Sequence, residues 1–325
     1  MQKKKYLISN LVYGDLYLKI FLDRHLKSVL DDANLPRVKD QVDIEYRIYT
    51  DTTTQEKLKT HPMIKRLAAY ANVEIVVFEW DNTPDKFGAR YPLLMMVFKA
   101  TVDYALEKNF DYVTAWVADL VVAKDFFSRI LSRMEEHDAV FVLPLRAAFE
   151  STAGAFGQIN GALLDVNLFN LGYQHLHPLW IACHWGSKRF TRMPYTLLWS
   201  SGRGLLARSF SVTPIIFKPQ KEMLNTNGMI DGDIPQFFKN PFWCEDWIDA
   251  PVMGVEPLFC HYPPFSNQKS SVPFIRRWAY RRESPPIHPT QRPLLKKRLY
   301  YPSRKYAGVS WWMRLKSDII TFLVG

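Results

Sequence analysis

The sequence predicts an α/β domain built on a mainly parallel sheet with helices on both faces, followed by a basic C-terminal extension. Short β-rich runs alternate with longer amphipathic runs through roughly the first 145 residues, the order that builds parallel sheets. The strand-like runs are nearly all apolar, as strands covered on both faces must be. The positive charge sits at one end: residues 269–325 hold 13 Lys or Arg against 2 Asp or Glu, whereas the chain as a whole carries +10. Everything before residue 269 is therefore close to neutral.

"KYLISNLVY" reads as the first strand. In "LYLKIFLDRHLKSVL", Leu18, Phe21, Leu22, Leu26, Val29 and Leu30 recur at helical spacing. "IEYRIYT" is the second strand, and Pro62 divides the following "TQEKLKTHPMIKRLAAYA" into two short helices, because proline lacks the amide a helix interior needs. "VEIVVFEW" is the third strand, followed by the helical run "YPLLMMVFKATVDYALEK"; "FDYVTAWVAD" and "KDFFSRILSRMEEH" are the fourth strand and its helix, and "AVFVLPL" closes the series. From about residue 146 the pattern loosens. "RAAFESTAGAFGQINGALLD" is small and polar, suited to a loop over the sheet edge, and "VNLFNLGYQHLHPLWIACHW" reads as helix. "YTLLWSSGRGLLARSFSVTPIIFKP" reads as two strands joined by a Gly-rich turn at Ser200–Gly204. Prolines and basic residues dominate after residue 268, where the compact fold is expected to end. The chain thus divides into residues 1–145, 146–268 and 269–325.

With 48% hydrophobic and 23% charged residues, the 325-residue chain is globular in composition. Cys183, Cys244 and Cys260 lack CxxC or Cys/His spacing, and their odd number argues against a disulfide framework and for a reducing compartment. "MQKKKYLISNLVYGD" resembles a signal peptide only until Asn10, Gly14 and Asp15 interrupt its apolar stretch. No apolar run approaches the roughly 20 residues that span a bilayer. A cytoplasmic protein, peripheral on the inner face of the plasma membrane, is expected.

In an open parallel sheet, ligands bind beyond the carboxyl ends of the strands. The residues expected there are Tyr13, Gly14 and Asp15, then Thr50 and Asp51, then Glu79, Trp80 and Asp81, then Asp119. A rim of carboxylates suits a divalent cation or hydroxyl-rich sugars. GxGxxG after the first strand, GxxxxGK[ST] and GxSxG are all absent, which removes the main support for dinucleotide, P-loop and hydrolase readings.

"VYG" at the first strand end, "IYTD" at the second, the helix "RYPLLMMVFKATVDYALEK" and "DYVTAWVADLVVAKDFF" together resemble nucleotide-sugar glycosyltransferases of the GT-A fold. The opening "VYGDLYLKIFLDRHLKSVLDDANLP" is similar to glycosyltransferases of bacterial surface-glycan clusters. The resemblance implies a nucleotide-sugar-binding half over residues 1–145 and an acceptor-side half over 146–268. It also implies Mg²⁺ or Mn²⁺ held against the donor diphosphate by a DxD motif at the fourth strand end. Here that position reads Val117, Ala118, Asp119, so only the last acid survives. By the resemblance Asp119 is a metal ligand and His261 a second. Mg²⁺ often takes one or two carboxylates plus phosphate oxygens, so one Asp is compatible with a cation. The alternative is that Asp119 caps the helix starting near Lys124 or ends the strand in a turn. His261 equally fits a hydrogen-bonded core histidine.

The same resemblance places Thr50 and Asp51 on the nucleoside and Arg90 and Lys99 by the diphosphate, with Val12, Tyr13 and Gly14 also expected to bind the donor; Arg203, in a turn where Gly202 and Gly204 allow close backbone approach, is a further candidate for the phosphates. Arginine matches phosphate oxygens bidentately, although any one of these cations also reads as surface charge. "FWCEDWIDAP" sets Glu245 and Asp246 between Trp243 and Trp247, so either acid is a candidate general base for an inverting transfer, or the two are solvated loop acids. "MIDGDIPQFF" holds the only literal DxD, Asp231 to Asp233, and reads as turn chemistry.

In the tail, Arg and Lys alternate with Trp278, Tyr280, Tyr300, Tyr301, Tyr306, Trp311 and Trp312. Aromatic rings favour the headgroup zone and cations favour anionic lipid. "SWWMRLKSDIITFLV" can form an amphipathic helix presenting Trp311, Trp312, Leu315, Ile319 and Phe322, and the alternative is a strap packed back on the domain. RNA binding lacks any recognised signature. The expected activity is sugar transfer from a nucleotide donor to a surface polysaccharide or lipid-linked glycan. The alternative is an inactive glycan-binding subunit, for which the missing first acid speaks. A nucleotidyltransferase would need a Gly-rich, Lys-bearing loop that "NLVYGDLY" does not supply.

Overall fold

The computed structural model describes residues 3–78, 90–157, 159, 161–191, 195–202, 204–226, 230–258, 269–280, 289–305 and 307–324. Strand β1 (Lys4–Leu11) is followed by helix α1 (Gly14–Ile20), a π-helical turn (Phe21–His25) and α2 (Leu26–Val29), then by α3 (Leu35–Val38). Next come β2 (Val42–Thr50), α4 (Thr52–Thr60), α5 (Pro62–Leu67), β3 (Asn72–Val77), α6 (Arg90–Glu107) and β4 (Tyr112–Val117). Pro62 opens α5 as its first residue, a place where its missing amide costs nothing.

Beyond β4 the chain runs through β5 (Leu120–Val122), α7 (Phe126–Arg133), β6 (Ala139–Val142), β7 (Leu145–Ala148), α8 (Phe149–Gly157), α9 (Asp165–Gln174) and α10 (Pro178–Ile181). The remainder holds β8 (Thr196–Ser200), β9 (Leu205–Ser209), β10 (Thr213–Phe217), α11 (Ile230–Asp233), β11 (Pro241–Trp243), β12 (Val252–Glu256), α12 (Val272–Ala279), β13 (Leu299–Tyr301) and α13 (Trp311–Val324).

Among the described residues, the central sheet has seven strands in the order β11-β6-β10-β4-β1-β2-β3. β1, β2, β3 and β4 pair in parallel, and β11 pairs in parallel with β6. Only β10 runs antiparallel, wedged between β4 and β6. The fold is therefore α/β with a mainly parallel sheet, as the sequence predicts. Alternation along β1 explains the double cover: Tyr6 and Ile8 join a core with α1, α2, α5 and α7, whereas Leu7 joins a second core with α6.

Two small sheets flank the large one, β5-β12-β7 and β13-β9-β8. "AVFVLPL" does not end the main sheet beside the fourth strand. It divides into β6, separated from β4 by β10, and the start of β7 in a different sheet. The stretch expected as a loop from residue 146 contains the last three residues of β7 and the helix α8. Only Thr152 and Phe156 of α8 are buried, so its sequence carries no periodic apolar stripe. The two strands expected after Tyr195 are three, because "TPIIF" leaves the β8–β9 hairpin and enters the central sheet as β10.

The compact fold does not stop at residue 268. β13 adds antiparallel to β9, and Tyr301 is fully buried with its hydroxyl donating to the Leu143 carbonyl at 2.6 Å. Ile275 and Ala279 of α12 and Ile320 and Val324 of α13 pack with Trp199 and Leu206 of the hairpin. Gly204 permits this approach: a Cβ there would lie 2.7 Å from the Ala307 Cα and against the Tyr301 carbonyl. Arg208, 2% exposed, ion-pairs with Asp318 of α13, which also holds Arg298.

Candidate active site at the carboxyl rim

β4 ends at Val117, β5 begins at Leu120, and the two-residue turn between them is Ala118–Asp119. This turn lies at the carboxyl end of the parallel strands, next to β1, whose Leu11 pairs with Val117. Asp119 is only 6% exposed, and its carbonyl accepts the Val255 N–H at 2.8 Å. Asp119 therefore sits buried at the seam between the central sheet and the β5-β12-β7 sheet. It does not cap α7, whose N-cap residue is Asp125, but it does end β4 in a turn, as the alternative reading has it.

β12 brings further charge to this seam. Gly254 pairs with Leu120 on one side and Arg146 on the other. A Cβ at Gly254 would meet the Arg146 side chain at 2.8 and 2.9 Å, so the missing methyl makes room for the guanidinium to reach Glu256 in an ion pair. Glu256 follows Val255 and is nearly buried. Asp231 belongs to the same electrostatic neighbourhood. Desolvation pushes its carboxyl above the usual range and Glu256 adds to the rise, while Arg146 and a hydrogen bond with the Thr213 side chain oppose it. Asp231 and Asp233, read from sequence as a turn, form the short helix α11. Arg146 and Glu256 carry no local motif, and only the pairing of β7 with β12 brings them together.

Around the first two strands, Val12 is buried and donates its N–H to the Tyr49 carbonyl at 2.9 Å. Tyr13 lies against Phe78 with ring centroids 6.4 Å apart. Gly14 begins α1 with φ +75° and donates to Asp51 Oδ2 at 3.4 Å. Asp51 is the N-cap of α4, accepting from the Thr54 N–H at 2.8 Å and the Thr54 hydroxyl at 2.7 Å. Desolvation raises its carboxyl, but these hydrogen bonds together win and lower it below the ordinary value. Thr50 is buried, and its hydroxyl has no hydrogen-bond partner among the described residues. Val12, Tyr13, Gly14, Thr50 and Asp51 thus share one corner.

Lys99 is half-buried on α6, and Arg90 is that helix's first residue. The Arg90 side chain, Arg203 and His261 lie outside the described residues. Glu245 and Asp246 follow β11, three strands from β4 and so about 14 Å across the sheet. Both face the tail: Asp246 Oδ1 accepts the Arg304 N–H at 2.6 Å, and Glu245 Oε2 pairs with the Arg304 guanidinium at 3.0 Å. The two indoles that flank these acids serve the interior. Trp247 is buried with its N–H on the Val252 carbonyl, and Trp243 stacks on Phe141.

Among the described residues, no group of three or more His, Cys, Asp or Glu gathers to hold a metal ion. Oxygen chemistry at Asp119 suits Mg²⁺ or Mn²⁺ when donor phosphates and water complete the shell. Among the described residues, no helix is long and apolar enough to cross a membrane.

No protein-family model and no curated protein matches the chain. Partial structural overlap is found with TarS residues 1–349 of S. aureus, at 13% identity and TM-score 0.28, covering 44% of this chain and 36% of that one. A 4-diphosphocytidyl-2C-methyl-D-erythritol synthase from Anaerococcus prevotii overlaps at 17% identity and TM-score 0.26, covering 45% of this chain and 56% of the other. The chain thus spans about a third to a half of the length of these proteins. Overlap this slight carries no inference about substrate, and the α/β class rests on the sheet itself.

Proposed function

We propose that the chain is a glycosyltransferase that moves a sugar from a nucleotide donor to a surface polysaccharide or lipid-linked glycan. One observation carries this reading: Asp119, the surviving acid of the DxD position, is buried in the turn after β4, beside the Val12–Gly14 and Thr50–Asp51 corner. Asp119 would hold a divalent cation, with His261 as the second ligand that the resemblance implies. When bound, such an ion neutralises charge developing on the departing diphosphate. Arg90, Lys99 and Arg203 remain candidates for the phosphates, and Arg146 adds a cation one strand further on, across β12 from Leu120.

For an inverting transfer the base must take a proton from the acceptor hydroxyl. Asp231 suits that task better than Asp246 or Glu245, since desolvation raises its proton affinity and it neighbours Arg146 and Glu256 at the seam. Asp246 and Glu245 are occupied by Arg304. The tail would hold the enzyme on the anionic inner face of the membrane through the exposed side chains of α13, Trp311, Trp312, Ile319, Phe322 and Leu323.

Val117 in place of the first acid favours one rival, an inactive glycan-binding subunit. Thermal-shift and hydrolysis assays over a panel of nucleotide sugars with Mn²⁺, with and without EDTA, separate the two. An enzyme releases nucleoside diphosphate and loses that activity in Asp119→Ala. Release that survives intact in Asp119→Ala removes the site assignment, and no release from any donor favours the rival.

A further inference from the structure

The turn that carries Asp119 is gripped from both ends by one buried chain of side chains. On one side, His25 Nδ1 lies 2.6 Å from the Leu120 carbonyl. His25 Nε2 lies 2.9 Å from the Tyr46 hydroxyl, which donates to Asn10 Oδ1. The Asn10 amide then donates to the Val117 carbonyl at 3.2 Å. Val117 and Leu120 are the residues immediately flanking Ala118–Asp119. His25, Tyr46 and Asn10 are all fully buried.

The proton count fixes the polarity of the chain. A carbonyl only accepts, so His25 must carry its proton on Nδ1, and the Asn10 amide must point its nitrogen at Val117. The single Tyr46 proton then faces two acceptors, Asn10 Oδ1 and His25 Nε2. Phe21 stacks on the imidazole at 5.3 Å and the Trp116 ring meets it edge-on at 5.4 Å, so no water-facing route relieves this competition among the described residues. His25 closes the π-helical turn Phe21–His25, which joins α1 to α2 and buries the imidazole.

We propose that His25, Tyr46 and Asn10 are positioning residues that set the conformation of the Ala118–Asp119 turn and thereby the place of the Asp119 carboxylate. They touch no substrate. The link to donor binding rests on the reading of Asp119 given above, whereas the effect on the turn stands by itself. A third tether, the Val255 N–H on the Asp119 carbonyl, supplies an independent reporter.

The experiment compares full-length Tyr46→Phe and Asn10→Leu with a control, Tyr6→Phe. Tyr6 is also buried on β1, and its hydroxyl bonds Thr114 at 2.6 Å without leading to the turn. Amide exchange at Val255 and affinity for uridine diphosphate with Mn²⁺ are measured below each variant's melting range. Loss of a positioning contact raises Val255 exchange about tenfold and weakens binding about tenfold, and Tyr6→Phe changes neither despite a comparable drop in melting temperature. Val255 exchange in Tyr46→Phe and Asn10→Leu no faster than in Tyr6→Phe overturns the proposal, as does failure of both variants to fold when Tyr6→Phe folds. Faster exchange combined with normal binding in Asp119→Ala keeps the positioning role and removes Asp119 from donor binding.

Discussion

Asp119 stands out because it ends an otherwise apolar strand, and a buried carboxylate is retained only where something partners it. That signal is local and was legible in the sequence. The partners around it were not. Arg146 and Glu256 are 110 positions apart, and His25 is hidden inside an ordinary helical periodicity. Gly254→Val tests the seam: its branched side chain would drive Arg146 off Glu256 and cost about 1–3 kcal/mol in denaturant unfolding. Nucleoside-diphosphate affinity should fall with it. His25 gives a second expectation, because burial pushes its imidazole down to about 4. The folded value lies below the ordinary 6.5, so this contribution is whole above pH 6.5 and is lost as pH falls towards 4. Unfolding free energy should drop by about 3 kcal/mol across that window, and His25→Gln should flatten the curve.

At the scale of elements, apolar runs mark the strands of the first half because β1, β2 and β4 are largely buried on both faces, although the edge strand β3 is half exposed, and Pro62 places its helix boundary. Order within the sheet was beyond local pattern: β10 enters between β4 and β6 only through pairing that no stretch of sequence encodes by itself. The tail misled for a related reason. Its prolines and cations describe one side of each element, and the other side carries Ile275, Ala279, Ile320 and Val324 into a core. Asp318→Ala would leave Arg208 buried without its carboxylate and should cost about 3 kcal/mol, measured by urea unfolding. Gly204→Ala should cost about 2 kcal/mol or more by crowding Ala307 and Tyr301.

For the whole molecule, α13 has two faces with different work. Ser317, Ile320, Thr321 and Val324 bind it to the domain, while Trp312 and Phe322 stand 72% and 84% exposed. Removing residues 270–325 would strip Tyr301 from the core, so loss of vesicle binding after truncation would report unfolding. The cleaner variant is Trp312→Ser with Phe322→Ser. It should keep the wild-type melting temperature and cease to sediment with anionic vesicles, and persistent sedimentation would exclude this surface as the anchor.

The junction of β13 with β9 has a further consequence for how the chain reaches its native form. Until β13 docks, β9 offers an open edge, and the Tyr301–Leu143 link that seals it joins residues 158 positions apart. A neighbouring molecule's terminal strand fits that edge as well as the molecule's own. Refolding at high concentration should therefore yield exchanged dimers, visible by size-exclusion chromatography, whereas dilute refolding returns monomers.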